Sequence, residues 1–167
     1  VPDAQIEFAV EISGEVQLHR LVDGRIGAVQ DFRPFFDRVS SDFYAFESNV
    51  FAAGGAAEGL PAWPALTERY ARWKARKFPG AGVLIQTGAL RNALTDPKAP
   101  GAIYEISSEE LRMGAARMTP DGKWDLGLIH QRGRADGSMP ARPPLRLSRE
   151  RRTRWMGFLA DHISGES

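Results

Sequence analysis

An aromatic stripe between Phe32 and Val50 constrains this chain more than any other feature. Phe32, Phe35, Phe36, Val39, Phe43, Phe46 and Val50 recur every three or four residues, the period of one helix face. The spacing predicts an amphipathic helix from about Pro34 to Phe51. Pro34 suits its first turn, where the missing amide donor costs nothing, and Gly54-Gly55 stops it. Burying such phenylalanines contributes roughly 1.5–3 kcal/mol each, so the helix needs a broad apolar surface, and a sheet is the natural one.

Short alternating runs supply that sheet. Ile6, Phe8, Val10 and Ile12 alternate with Glu7 and Glu11, and Ser13-Gly14 could turn the chain towards Val16 and Leu18, giving an N-terminal hairpin over 5–22 with His19 an exposed strand residue. Ala102–Ile106, Leu111–Ala115 and Trp124–Ile129, separated by Ser107-Ser108 and Pro120-Asp121-Gly122, read as an antiparallel meander. The expected fold is therefore α+β: an antiparallel sheet packed against two to three amphipathic helices, with an extended Pro/Arg-rich arm. A length of 167 residues suits a single domain, 1–167, with a helical region over 31–94 and the meander, arm and C-terminal helix over 102–167.

Further helices follow from local signals. Thr67 and Glu68 open a second one, with Leu66, Tyr70, Trp73 and Lys77 on one face and Arg69, Arg72, Lys74 and Arg76 on the rest. That pattern reads as a surface helix docked through its aromatics. Gly54 to Pro64 is a loop returning Trp63 to the body. Thr87 is placed to cap a short helix carrying Leu90 and Leu94, and Ser148 a final one carrying Trp155, Leu159 and Ile163.

The stretch from Leu128 to Ser148, LIHQRGRADGSMPARPPLRLS, differs in kind. Pro140, Pro143 and Pro144 remove amide donors and push their predecessors to extended conformations, so Met139 to Leu145 should lie across something else, this chain's own elements or a neighbour. Eight arginines fall between Arg132 and Arg154 against only Asp136 and Glu150, a cluster that reads as a solvated face or else as a surface meeting acidic partners or nucleic-acid phosphate. Charge is divided along the chain: residues 1–66 carry four Arg/Lys and ten Asp/Glu, residues 67–167 eighteen and eleven, so the net +1 conceals −6 and +7. Such a division suits contact between unlike surfaces of neighbouring copies.

Several classes are disfavoured. With no cysteine there is neither a disulfide scaffold nor a thiolate metal site. No HExxH, nucleophile elbow, GxxxxGK[ST] or GxGxxG pattern occurs, and the three histidines have no ligand spacing, so no cofactor and no metal is expected. No apolar run approaches the roughly 20 residues of a membrane span, and the first residues show no basic region or cleavage pattern, so a soluble, intracellularly made protein without a membrane partner is expected.

Five segments in order carry a resemblance: Phe51 with GLPAWPAL (Gly59–Leu66), the lysine-containing helix, LIQTGALRNAL (Leu84–Leu94), IHQRG (Ile129–Gly133) and PARPPLRLS (Pro140–Ser148). From about Asp31 onward the chain resembles the phage virion morphogenesis family, the tail-completion proteins of Mu-like and P2-like phages. The family pattern differs at Pro144-Leu145 and at Asp125 to Leu128. The resemblance implies a structural virion protein made in the bacterial host cytoplasm. It would form a ring, hexameric by analogy, around the DNA channel of the neck or upper tail, for tail completion and head–tail joining. Expected partners are other copies, adjacent neck and tail-tube proteins, and DNA passing without sequence readout. On that view His130, Gln131, Arg132, Arg134, Pro140, Arg142, Pro143 and Arg146 form the subunit or partner interface, and Arg149, Arg151 and Arg152 face channel DNA.

Two other readings start from the same residues. A non-specific nucleic-acid-binding module would use the basic helix and the arginine arm, with strongly salt-dependent binding. A hydrolase would use His130 as general base beside Asp125 and Gln131, with Arg142 clamping an anion. No second catalytic group is recognisable, so a non-enzymatic protein is expected.

Overall fold

The computed structural model describes the backbone of residues 6–11 and the whole of residues 30–165. In chain order they form β1 (Ile6–Glu11), α1 (Arg33–Ala52), α2 (Glu68–Lys77), α3 (Ala89–Thr95), β2 (Ala102–Ile106), β3 (Glu110–Ala115), α4 (Leu126–Arg132) and α5 (Arg149–Ser164). This is a mixed α+β fold in which a small antiparallel sheet packs against helices, as the patterning predicts. Strand order is β1-β3-β2, with Ala115 of the central strand opposite Ile6 on one side and Ala102 on the other. The return strand expected beyond Gly14, and His19 with it, lie outside the described residues.

α1 is the spine of the core. Phe36, Val39 and Val50 are sealed from solvent, and so are Leu111, Met113 and Ala115, the alternate residues of β3 that face the helices. One end of α1 packs Phe35, Phe36, Val39 and Phe43 with Leu111, Met113 and Trp155. Its other end packs Phe46, Val50 and Phe51 with Trp63, Leu90 and Leu94. The helix stops where Gly55, at φ 97°, donates its N–H back to the Val50 carbonyl at 2.8 Å. A Cβ there would sit 2.7 Å from the Trp63 ring, so only glycine lets the loop close on that tryptophan.

Two local expectations are corrected and a third holds. The third run of the meander, Trp124–Ile129, is largely α4. Leu126, Leu128 and Ile129 are too few to separate a period of two from one of 3.6, and Asp125 decides the matter by accepting from the Leu128 N–H at 2.6 Å, an N-cap. α3 begins behind Gly88 in the left-handed region, and Thr87 reaches only the Ala89 N–H, at 3.4 Å. Ser148 does cap α5, accepting from the Arg151 N–H at 2.9 Å.

Candidate functional site

α2 is docked the opposite way round from the expectation. Tyr70 and Trp73 are 41% and 37% exposed, whereas Lys74 is 4% exposed and is the one buried residue of the helix. The Lys74 stem runs along the body and its ammonium donates to the Gly82 carbonyl at 2.6 Å, so a long amphipathic side chain does the docking. The exposed aromatics stack on each other at 5.3 Å, and Trp73 meets the edge of Phe78. Around them Arg69, Arg72, Arg76 and Lys77 are all exposed.

The Pro/Arg arm lies across its own chain, one of the two destinations that its extended, donor-poor character allows. Arg142 is buried and grips the proline loop, donating from Nε to the Pro64 carbonyl and from Nη2 to the Ala65 carbonyl, both at 2.7 Å. Arg146 donates to the carbonyls of Pro61, at 2.7 Å, and of Gly55. Trp63 Nε1 donates to the Pro143 carbonyl at 2.9 Å. Gln131 pairs with Leu145 twice, donating to its carbonyl at 2.9 Å and accepting its N–H at 3.2 Å. Prolines make this possible, since a donor-poor strap needs only its carbonyls and arginines satisfied. Arg142, Arg146, Gln131 and Pro143 are thus engaged inside the chain. Arg132, Arg134 and Pro140 stay exposed, and His130 is half-buried.

Arg151, expected to face channel DNA, lies within the fold. It is 4% exposed, paired with Asp42 and Glu58, and its guanidinium lies 4.3 Å from the centre of the Phe46 ring. Trp155 Nε1 and Arg154 also bond Asp42, at 2.7 and 3.1 Å. Burial would raise the Asp42 carboxyl, yet bonds from Arg151, Trp155 and Arg154 hold it below its ordinary value. This network ties α5 to α1 and to the proline loop. Arg149 and Arg152 remain exposed on the first turns of α5.

Between α2 and the arm opens a cleft of about 390 Å³. Tyr70 and Lys74 line it from α2, His130 from α4, and Met139, Pro140 and Arg142 from the arm, with Leu66 and Leu84 adding apolar wall. Leu84 holds a φ of 60°, a conformation that a branched-chain residue adopts only when its surroundings impose it. Among the described residues no carboxylate lines the cleft. Burial lowers Lys74, with the Arg142 charge adding to it, and burial lowers Arg142 as well. Burial first, then the Arg142 and Lys74 charges, bring His130 down to about 4, so its imidazole is neutral at pH 7. The His130 Nδ1 is buried and has no hydrogen-bond partner. Chemically the cleft favours a negatively charged group with an apolar neighbour.

Lys74 escaped the sequence reading because helical spacing assigned it to the solvent face; only the short Pro79-Gly80 turn, which folds Gly82 back beneath the helix, hinted otherwise. Among the described residues no cluster of His, Asp and Glu could hold a metal ion, and no helix is long and apolar enough to cross a membrane. Compared with family models, curated proteins and solved structures, the chain finds no match in any of the three.

Proposed function

We propose that this chain is an assembly protein of a phage virion, forming a ring of copies around the DNA passage of the neck or upper tail during tail completion and head–tail joining. The observation that carries the reading is α2: a helix held to the body through one lysine, with stacked Tyr70 and Trp73 facing outward beside a cation-lined cleft. Monomeric proteins seldom leave large aromatics together on a surface unless something covers them. The −6/+7 division of charge gives unlike surfaces a reason to meet, and the ordered segments from Phe51 to Ser148 supply the phage context.

A nucleic-acid-binding module is the second reading, favoured by the exposed arginines of α2 and by Arg149 and Arg152. It is the weaker one, because Tyr70 and Trp73 each spend one ring face on the other and the buried arginines of the arm already hold backbone carbonyls. The two readings separate in one preparation. Electron microscopy of the purified chain should show closed rings, while binding to a single-stranded oligonucleotide should be weak at physiological salt. Tight, steeply salt-dependent oligonucleotide binding by isolated chains would favour the second reading instead.

A further inference from the structure

Among the described residues Lys74 and Arg142 have no counter-ion. They are 4% and 5% exposed, and every hydrogen bond they make goes to a backbone carbonyl: Gly82 for Lys74, Pro64 and Ala65 for Arg142. An ammonium has three donors and a guanidinium five, so both keep donors in reserve. Placing two such charges in a recess without a carboxylate is costly, and an incoming anion would relieve that cost. The unpartnered Nδ1 of His130 sits in the same recess, which is walled on its apolar side by Leu66, Leu84 and Met139.

We propose that the cleft between α2 and the arm is an anion-binding site that receives a carboxylate from a second copy of this chain, presented on the turn between β2 and β3. This rests on the ring reading above and assigns its contact. The recess favours a protruding side chain over a nucleic-acid backbone, because cations this deeply set are beyond the reach of phosphates held along a groove. Asp37, Glu68, Asp96 and Asp121 are also exposed carboxylates without an ion pair among the described residues, but Glu109 is the one carried on the turn of a hairpin, between β2 and β3. Glu109 is exposed and forms no ion pair among the described residues, and Ser107 closes its turn by accepting the N–H groups of Glu109 and Glu110 at 3.2 and 2.9 Å. The same turn is anchored to the body by the Phe32 N–H donating to the Ser108 carbonyl at 2.9 Å, so it is presented firmly. Turn into cleft is a contact between unlike surfaces, which repeats from copy to copy and closes when the rotation allows.

The absence of cysteine makes the test direct. Ser108→Cys and Ser138→Cys chains, the second marking the cleft rim, are mixed under mild oxidation, with Ser48→Cys, exposed on α1, as the control partner. The expected result is a disulfide-linked Ser108→Cys/Ser138→Cys pair formed at least about ten-fold faster than the control pair, and slowed to the control rate by adding Glu109→Gln to the Ser108→Cys chain. Sedimentation of the same samples separates the two levels of the idea. Rings that persist with no preferential link overturn the assigned contact alone, whereas chains that stay single overturn the ring reading with it. Competition by a single-stranded oligonucleotide, abolished by Lys74→Met in a chain whose melting curve is unchanged, would give the cleft to phosphate and overturn the proposal.

Discussion

Two titratable side chains, one buried and one half-buried, pull stability in opposite directions with pH. Glu47 is 1% exposed with neither oxygen bonded, and burial raises its carboxyl well above the ordinary range against the pull of Arg146 and Arg151. Its folded pKa is the higher one, so the stability it permits is complete below the unfolded value of about 4.5 and is lost as pH rises towards the folded value. Glu47→Gln should flatten that decline, seen as a urea midpoint that no longer falls as pH rises above about 4.5; an unchanged slope would contradict it. His130 runs the other way. Its folded pKa of about 4 lies below the ordinary 6.5, so the contribution is complete above 6.5 and is lost as pH falls towards 4. The loss is on the order of 2–3 kcal/mol, and His130→Gln should remove it from the acid limb. Neither environment was legible in the sequence. Glu47 falls on the polar-looking edge of an aromatic stripe, and His130 shares its recess with Lys74, distant along the chain.

At the scale of elements, periodic stretches were legible and packing directions were not. The α1 stripe, β3 and the Ser148 cap follow from spacing and cap chemistry, because many residues repeat one instruction. α4 and the facing of α2 do not, since a seven-residue helix and a basic amphipathic helix each carry too few apolar positions to outweigh one well-placed Asp125 or Lys74. The arm was legible as extended and donor-poor, yet its destination was not: the loop over Gly55 to Ala65 offers it a row of carbonyls that only the fold brings together. Removing the clamp should therefore weaken the monomer itself. Arg142→Ala gives up two charge-assisted hydrogen bonds and should cost roughly 3 kcal/mol in chemical denaturation, with the arm and proline loop losing amide protection together. Trp155→Ala should cost roughly 3–5 kcal/mol, since it empties a core position and takes a donor from Asp42. Full stability in either variant would mean that these contacts do not hold α5 and the arm in place.

Across the whole molecule, the arginine-rich C-terminal third divides its labour. Arg146 and Arg151 work inside the chain and Arg142 grips the proline loop while lining the cleft, which leaves Arg132, Arg134, Arg149 and Arg152 together with α2 and the cleft for whatever lies outside. That inventory shifts the weight of assembly from the strap to the stacked aromatics and the cleft. It also separates folding from association, because Tyr70 and Trp73 contribute little to the core while facing outward. The most direct measurement is sedimentation equilibrium of the wild-type chain beside Trp73→Glu. A discrete closed oligomer for the wild type, reduced to folded single chains by Trp73→Glu with an unchanged melting curve, is the predicted result. A wild-type chain that stays single at every concentration, or an oligomer indifferent to Trp73→Glu, would contradict it.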